Sequence, residues 1–170
     1  MVRSQIPGAD TMASVFEQAP VQETLLVAIN FDHHRLLLPQ REIRSLESVL
    51  DVQRQGAVPP AVGAIALAGE IWPVYCLSGE ELAVTADMSA NRRVCLLLDD
   101  GGHRLAIVCD QIEMLAVPLQ RRYPLPVCQA KPEALVERLV VRDATVACLT
   151  TTARLAAYCR RDIGRGAENG

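Results

Sequence analysis

The chain has 170 residues, of which half are hydrophobic and 22% are charged, and its formal net charge is −3. This length and composition predict one globular domain, or two small subdomains sharing a core, because such a chain buries a core without disulfides or metals. The 17 basic residues form no stripe and are not interleaved with aromatic residues, which excludes the usual nucleic-acid-binding surface.

Residues 1–21 predict a flexible arm, and the first twenty residues lack the apolar core of a signal peptide. The apolar runs that follow reach about eight residues, which is too short to cross a bilayer. The six cysteines are far apart and form no CxxC pair, which favours buried, reduced thiols over a zinc site or a disulfide framework and indicates the cytoplasm. They are Cys76, Cys95, Cys109, Cys128, Cys148 and Cys159.

From Thr24 onward, short apolar runs alternate with polar turns, which is typical of β-hairpins. Residues 25–29 and 36–38 flank the first turn. The next apolar positions are Ile43, Leu46, Val49 and Leu50, whose spacing fits either a helix face or a strand with a bulge.

Residues 62–77 predict two strands that turn near residues 68–70, with Pro73 at a sheet edge or bulge because it has no N–H to donate. Residues 78–91 predict a loop with at most one helical turn. Residues 94–98 and 105–109 flank the turn sequence Asp-Asp-Gly-Gly and predict a further hairpin.

Residues 118–133 contain four prolines and predict an extended connection. A last hairpin at residues 135–149 precedes a helix over 151–158, capped by Thr151 or Thr152. The sum is about ten strands and one helix, an all-β barrel or sandwich. The predicted domain covers residues 22–160 and is followed by a flexible tail over 161–170.

The sequence contains no phosphate-binding glycine loop and no hydrolase signature. The three histidines fall in predicted turns, which favours exposed side chains over a metal site, and no cofactor is expected. Asp110 follows an apolar run directly and predicts a structural carboxylate that accepts backbone N–H bonds. Cys128 is the one candidate nucleophile if the chain is a thiol-dependent enzyme. A groove between two subdomains would suit a small-molecule sensor.

Four segments in register are similar to the CheW family of bacterial chemotaxis coupling proteins. The first consists of Leu-Leu-Leu-Pro followed, after three intervening residues, by Ile-Arg-Ser-Leu. The second is Gly-Ala-Ile-Ala-Leu-Ala-Gly-Glu-Ile-Trp-Pro-Val-Tyr-Cys-Leu, and the third is Leu-Ala-Ile-Val-Cys-Asp-Gln-Ile. The fourth is the final hairpin and helix. They occupy residues 36–46, 63–77, 105–112 and 134–158, so the resemblance extends over residues 23–158.

The resemblance implies two small five-stranded SH3-like barrels around a shared core, plus a short C-terminal helix. It also implies a non-catalytic cytoplasmic scaffold that couples the cytoplasmic tips of chemoreceptors to a CheA-like histidine kinase. The chain departs from the family at Ser45, Ala66, Ala68 and Cys76, where the family has Glu, Asn, Arg and Asp. The alternative is therefore a ligand-binding or regulatory domain of a pilus-motility chemosensory system with changed partners.

The expected interaction residues lie in the first two of these segments. For Ile43 and Leu46 the alternative is ordinary core packing, and Trp72 is either a half-exposed interface anchor or a core residue. The full set is Ile43, Ser45, Leu46, Ala68, Glu70, Ile71 and Trp72.

Overall fold

The computed structural model describes residues 23–118, 121–131 and 133–165. These residues form twelve strands and one α-helix. The strands are β1 (Glu23–Phe31), β2 (His34–Pro39), β3 (Ile43–Ser48), β4 (Gly63–Leu67), β5 (Glu70–Ser78), β6 (Ala83–Thr85), β7 (Val94–Asp99), β8 (Arg104–Cys109), β9 (Gln111–Pro118), β10 (Arg122–Pro124), β11 (Arg138–Arg142) and β12 (Thr145–Leu149), and the helix is α1 (Thr152–Arg165). The expected N-terminal arm lies outside the described residues.

The strands form two sheets, one of which is inserted into the other along the chain. The first sheet has the order β10-β11-β12-β2-β1-β9, with β12 parallel to β2. The second has the order β3-β7-β8-β5-β4, with β5 parallel to β8 and with β6 paired to β5. The second sheet therefore uses consecutive strands β3–β8, whereas the first combines the two ends of the described chain.

The second sheet closes on itself just after β3. The backbone N–H of Gln53 donates to the carbonyl of Ala64 at 2.8 Å, and Ala64 N–H returns a bond to the Gln53 carbonyl at 2.8 Å. Gly63 makes this approach possible, because a Cβ there would lie 2.4 Å from Val52 Cγ1 and 2.8 Å from the Gln53 carbonyl oxygen. The predicted five-stranded barrel is thus formed by β3, β7, β8, β5 and β4.

Three apolar clusters fill the fold, because alternate side chains of the central strands point to opposite faces. One cluster lies inside the second sheet and includes Val74 and Val108. Another lies on the concave face of the first sheet and includes Leu26 and Val140. The third contains side chains of both sheets and of α1, among them Leu155. This third cluster is the shared core expected between two barrels, and it confirms the all-β fold class.

A bulge in β3 resolves the ambiguous spacing of its apolar residues. Ile43 pairs with Leu98 and Leu46 pairs with Leu96, and the register shifts between Ile43 and Ser45. Ile43 and Leu46 therefore share one face of a strand although they are three positions apart. Ile43 and Leu46 therefore follow the strand alternative, whereas Val49 and Leu50 lie in a short 3-10 helix, Val49–Asp51, that follows β3.

The structure has twelve strands, two more than the approximately ten that the sequence predicts. β6 lies in the stretch expected as a loop, and β10 lies in the stretch expected as an extended connection. Each has only three residues, so its pattern is too short to show alternation. Pro73 is placed as expected, since that part of β5 pairs with β4 but not with β8.

The helix is held at its N-terminus by two side chains. Thr151 Oγ1 accepts the N–H of Arg154 at 3.3 Å, and the buried Glu42 carboxylate accepts the N–H of Thr152 at 2.7 Å. Both bonds satisfy donors that a helix leaves free in its first turn. The helix continues to Arg165, seven residues beyond the end predicted at residue 158.

Candidate interaction surface and the network behind it

The β4–β5 hairpin presents four of the expected interaction residues around a two-residue turn. Ala68 and Gly69 occupy the turn with φ of +52° and +80°, the combination of a type I′ turn. This turn matches the twist of the flanking strands but holds Ala68 in the left-handed region, where a Cβ is unfavourable. Ala68, Gly69 and Glu70 are all exposed at the tip.

The two faces of the hairpin differ sharply in exposure. Ile71 is 76% exposed and pairs with the exposed Ala66, whereas Trp72 is 2% exposed and pairs with the buried Ile65. Trp72 therefore belongs to the core of the second sheet, which is the second of the two alternatives that the sequence leaves open. Alternation along β5 forces this outcome, because the neighbour of an outward Ile71 points inward.

Buried Trp72 still shapes the tip through Arg104. The Arg104 guanidinium lies 5.8 Å from the centroid of the indole ring, and it donates to Asp99 at 3.1 Å and to the Glu70 carboxylate. The hydrogen bond to Glu70 is the main reason that the pKa of Arg104 is raised. Glu70 is thus fixed beside Trp72, and the carboxylate at the tip has a defined position.

Residues Ile43, Ser45 and Leu46 lie on β3, at a separate position. Ile43 is half-buried against the shared core, and Leu46 is 55% exposed on the same face. Ser45 faces the other way and donates its hydroxyl to Glu47. β3 forms no ladder with β4 or β5, so these residues do not pair with the hairpin, although the chain just after β3 bridges to β4 between Gln53 and Ala64.

A buried arginine joins the two sheets near the shared core. The side chain of Arg92 is fully buried and donates to Asp32 at 3.2 and 3.3 Å, to Asp110 at 2.5 Å and to the carbonyl of Leu77 at 2.6 Å. Its guanidinium also lies 5.8 Å from the ring centroid of Phe31. The turn after β1, the end of β5 and the junction between β8 and β9 therefore meet at one cation.

The two carboxylates around Arg92, those of Asp32 and Asp110, are themselves held by hydrogen bonds. Asp110 accepts the backbone N–H of Asp32 at 2.8 Å, which confirms its predicted structural role. Hydrogen bonding to Arg92 lowers the pKa of Asp32. Burial alone would lower the pKa of Arg92, but its hydrogen bonds to Asp32 and Asp110 outweigh that effect and raise it.

The thiols follow the expectation of buried residues in four of six cases. Cys76, Cys95, Cys109 and Cys159 are buried, and burial raises the pKa of Cys95 and that of Cys109 to about 12. Cys128 is exposed, and within the described part of the chain its thiol forms no hydrogen bond. No three His, Cys, Asp or Glu side chains among the described residues are grouped to hold a metal ion.

Within residues 23–118, 121–131 and 133–165, no helix has the length and apolar character needed to span a lipid bilayer.

Comparison with known proteins finds similarity in structure and not in sequence. No family model matches the chain, and no curated protein matches it significantly in sequence. Among solved structures, it is similar to the scaffolding protein TtCheW from Thermoanaerobacter tengcongensis, with a TM-score of 0.61 and 15% identity. The similarity covers 76% of this chain and 89% of that protein. The two sheets, one inserted into the other along the chain, and their shared core therefore form a CheW-like fold.

Proposed function

We propose that this protein is a non-catalytic adaptor in a chemotaxis-type signalling pathway. It binds a CheA-like histidine kinase and the cytoplasmic tips of chemoreceptors through its surface, and it acts in the cytoplasm. The observation that carries this proposal is the CheW-like arrangement of two sheets around a shared core, over most of both chains.

The β4–β5 hairpin is the surface best suited to this role. An aliphatic side chain that is 76% exposed gains by burial against a partner, and apolar residues at the centre of an interface often dominate its binding energy. The strand behind it is rigid, because Trp72 is packed in the core and Arg104 ties Glu70 and Asp99 together. A rigid surface lowers the entropy cost of binding.

The β3 residues are a second contact in this proposal. Leu46 is 55% exposed on an outer strand, and Ile43 anchors that strand to the shared core. Ala66 and Ala68 replace the polar residues of the CheW pattern, so the hairpin tip offers more apolar surface than the family. A partner of this chain should accordingly present an apolar patch opposite Ile71.

The testing experiment is co-purification of the full chain with the CheA-like kinases and receptor cytoplasmic domains of its own cell. Ile71→Asp should weaken capture of the kinase at least about tenfold, since it places a charge in a desolvated contact. Val146→Asp is the matched control, because Val146 is 59% exposed on the first sheet, away from the hairpin.

Three results would distinguish the alternatives. Capture that is lost in Ile71→Asp and kept in Val146→Asp supports the hairpin as the interface. Capture that survives in Ile71→Asp but is lost in Leu46→Asp would indicate that the interface lies on β3 and not on the hairpin. Wild-type protein that captures neither a kinase nor a receptor contradicts the adaptor function.

A further inference from the structure

The concave face of the first sheet holds an open cavity of about 250 Å³. Its floor is apolar and consists of Leu37, Leu115, Val117, Val140 and Ala147, from four different strands. The lining comes from β2, β9, β11 and β12, and β9 is not a neighbour of the other three in the strand order. The cavity therefore lies inside the first sheet, and not in the groove between subdomains that the sequence analysis considers.

The mouth of the cavity has a donor that lacks an acceptor. Arg35 lines the cavity and donates through Nη2 to Glu113 at 2.5 Å, but its buried Nε has no hydrogen-bond partner among the described residues. A buried N–H without an acceptor is costly, and a ligand oxygen would remove that cost. Glu113 already occupies Nη2, so a ligand carboxylate would accept a charge-assisted hydrogen bond from Nε beside it.

The four ionised side chains at the mouth form two pairs of opposite charge, so the mouth carries no excess of positive charge. The side chains of the two carboxylates, Glu113 and Asp143, are 53% and 82% exposed, so solvent screens them. The donor on Arg35 is buried, so its interaction with an anion is screened less. Arg142 is paired with Asp143 at 3.4 Å, so the preference for an anion rests on the unpaired Nε of Arg35.

We propose that this cavity binds a small aliphatic carboxylate, with the hydrocarbon on the apolar floor and the carboxylate at Arg35. An apolar cavity of about 150 Å³ holds benzene, so this larger one accommodates a chain of about five or six carbons with its carboxylate. The site shares no residue with the β4–β5 hairpin, so it is independent of the adaptor function.

Two-dimensional amide NMR of the full chain, titrated with hexanoate and with hexanol up to about 10 mM, tests the proposal. Hexanoate should produce saturable shifts at the amides of Val117, Val140 and Ala147. Hexanol has the same hydrocarbon without the charge and should bind about tenfold more weakly, because it lacks the charge-assisted hydrogen bond.

Three variants locate the site. Arg35→Met should remove the preference for hexanoate and leave hexanol binding unchanged. Glu113→Gln, the matched control on the same ion pair, should retain hexanoate binding. Ala147→Leu should fill the cavity and abolish the shifts from both probes.

Several outcomes would overturn the proposal. They are the absence of saturable shifts in the wild type, equal affinity for the two probes, and undiminished hexanoate binding in Arg35→Met. Dispersion of the amide spectrum reports whether each variant folds. If Ala147→Leu does not fold, Arg35→Met still decides, because Arg35 is partly exposed and not part of the apolar floor.

Discussion

The buried guanidinium of Arg92 binds the carboxylate of Asp32 through two parallel hydrogen bonds of 3.2 and 3.3 Å, across a sequence separation of 60 residues. Asp32 belongs to the turn between β1 and β2 of the first sheet, and Arg92 lies two residues before β7 of the second. Geometry of this kind is specific as well as strong, because the planar guanidinium matches both carboxylate oxygens. The pair therefore fixes how the first sheet sits against the second.

Arg92→Met should lower the free energy of unfolding by about 3 kcal/mol, because Asp32, Asp110 and the Leu77 carbonyl all lose their donor. Urea unfolding followed by circular dichroism measures the change. Arg93→Met is the matched control, since Arg93 is exposed and its described bond to Cys109 uses only the backbone. Equal stability of the two variants would show that the Arg92 network is not stabilising.

Stability should fall in acid through Asp32. Arg92 lowers the pKa of this carboxyl in the folded state, so the contribution is fully present above the unfolded pKa of about 3.9 and is lost as the pH falls through the folded value. Asp32→Asn should reduce the slope of unfolding free energy against pH below about pH 4. Part of the slope should remain, since the pKa of Asp100 is also lowered: burial would raise it, but the N–H groups of Gly102 and His103 outweigh burial. An unchanged slope in Asp32→Asn would contradict this assignment.

Gly63→Ala should destabilise the protein by about 1–3 kcal/mol, because the new Cβ would collide with Val52 and the Gln53 backbone at the closure of the second sheet. Thermal unfolding gives the comparison. Gly102→Ala is the control, where the nearest atom to a Cβ would be Asp100 Oδ1 at 3.6 Å. The closure is not tight if both variants unfold at the same temperature.

Ala68→Asn should stabilise the protein by about 0.5–1 kcal/mol, because Asn tolerates the positive φ that Ala68 adopts in the type I′ turn. Chemical unfolding again measures the gain. Ala90→Asn is a suitable control, since Ala90 is an exposed turn residue without a positive φ. A loss of stability in Ala68→Asn would argue against the turn type.

Much of the strand pattern is readable from the sequence because each central strand is bounded by a strong turn. The sequence Asp-Asp-Gly-Gly between β7 and β8 is one such signal, and the alternation in β3 becomes clear once its bulge is allowed. Whether Trp72 faces in or out could not be decided, because the whole stretch around it is apolar. Its orientation depends on which side of the hairpin the barrel closes.

The sequence predicts only part of the Arg92 network. Asp110 stands out because a carboxylate follows five apolar residues, and its structural role is confirmed. Arg92 gives no comparable signal, since it lies in a polar stretch and one of its partners is 60 residues away. The cavity is equally hidden, because its floor is built from strands at both ends of the described chain.

The insertion of one sheet inside the other has a consequence for synthesis on the ribosome. Strands β3–β8 are complete when Cys109 has emerged, so the second sheet can form while the chain is still growing. β2 cannot pair with its parallel neighbour β12 until Leu149 has emerged. Until then β2 exposes an unpaired strand edge, the kind of surface that chaperones shield and that aggregates when left open.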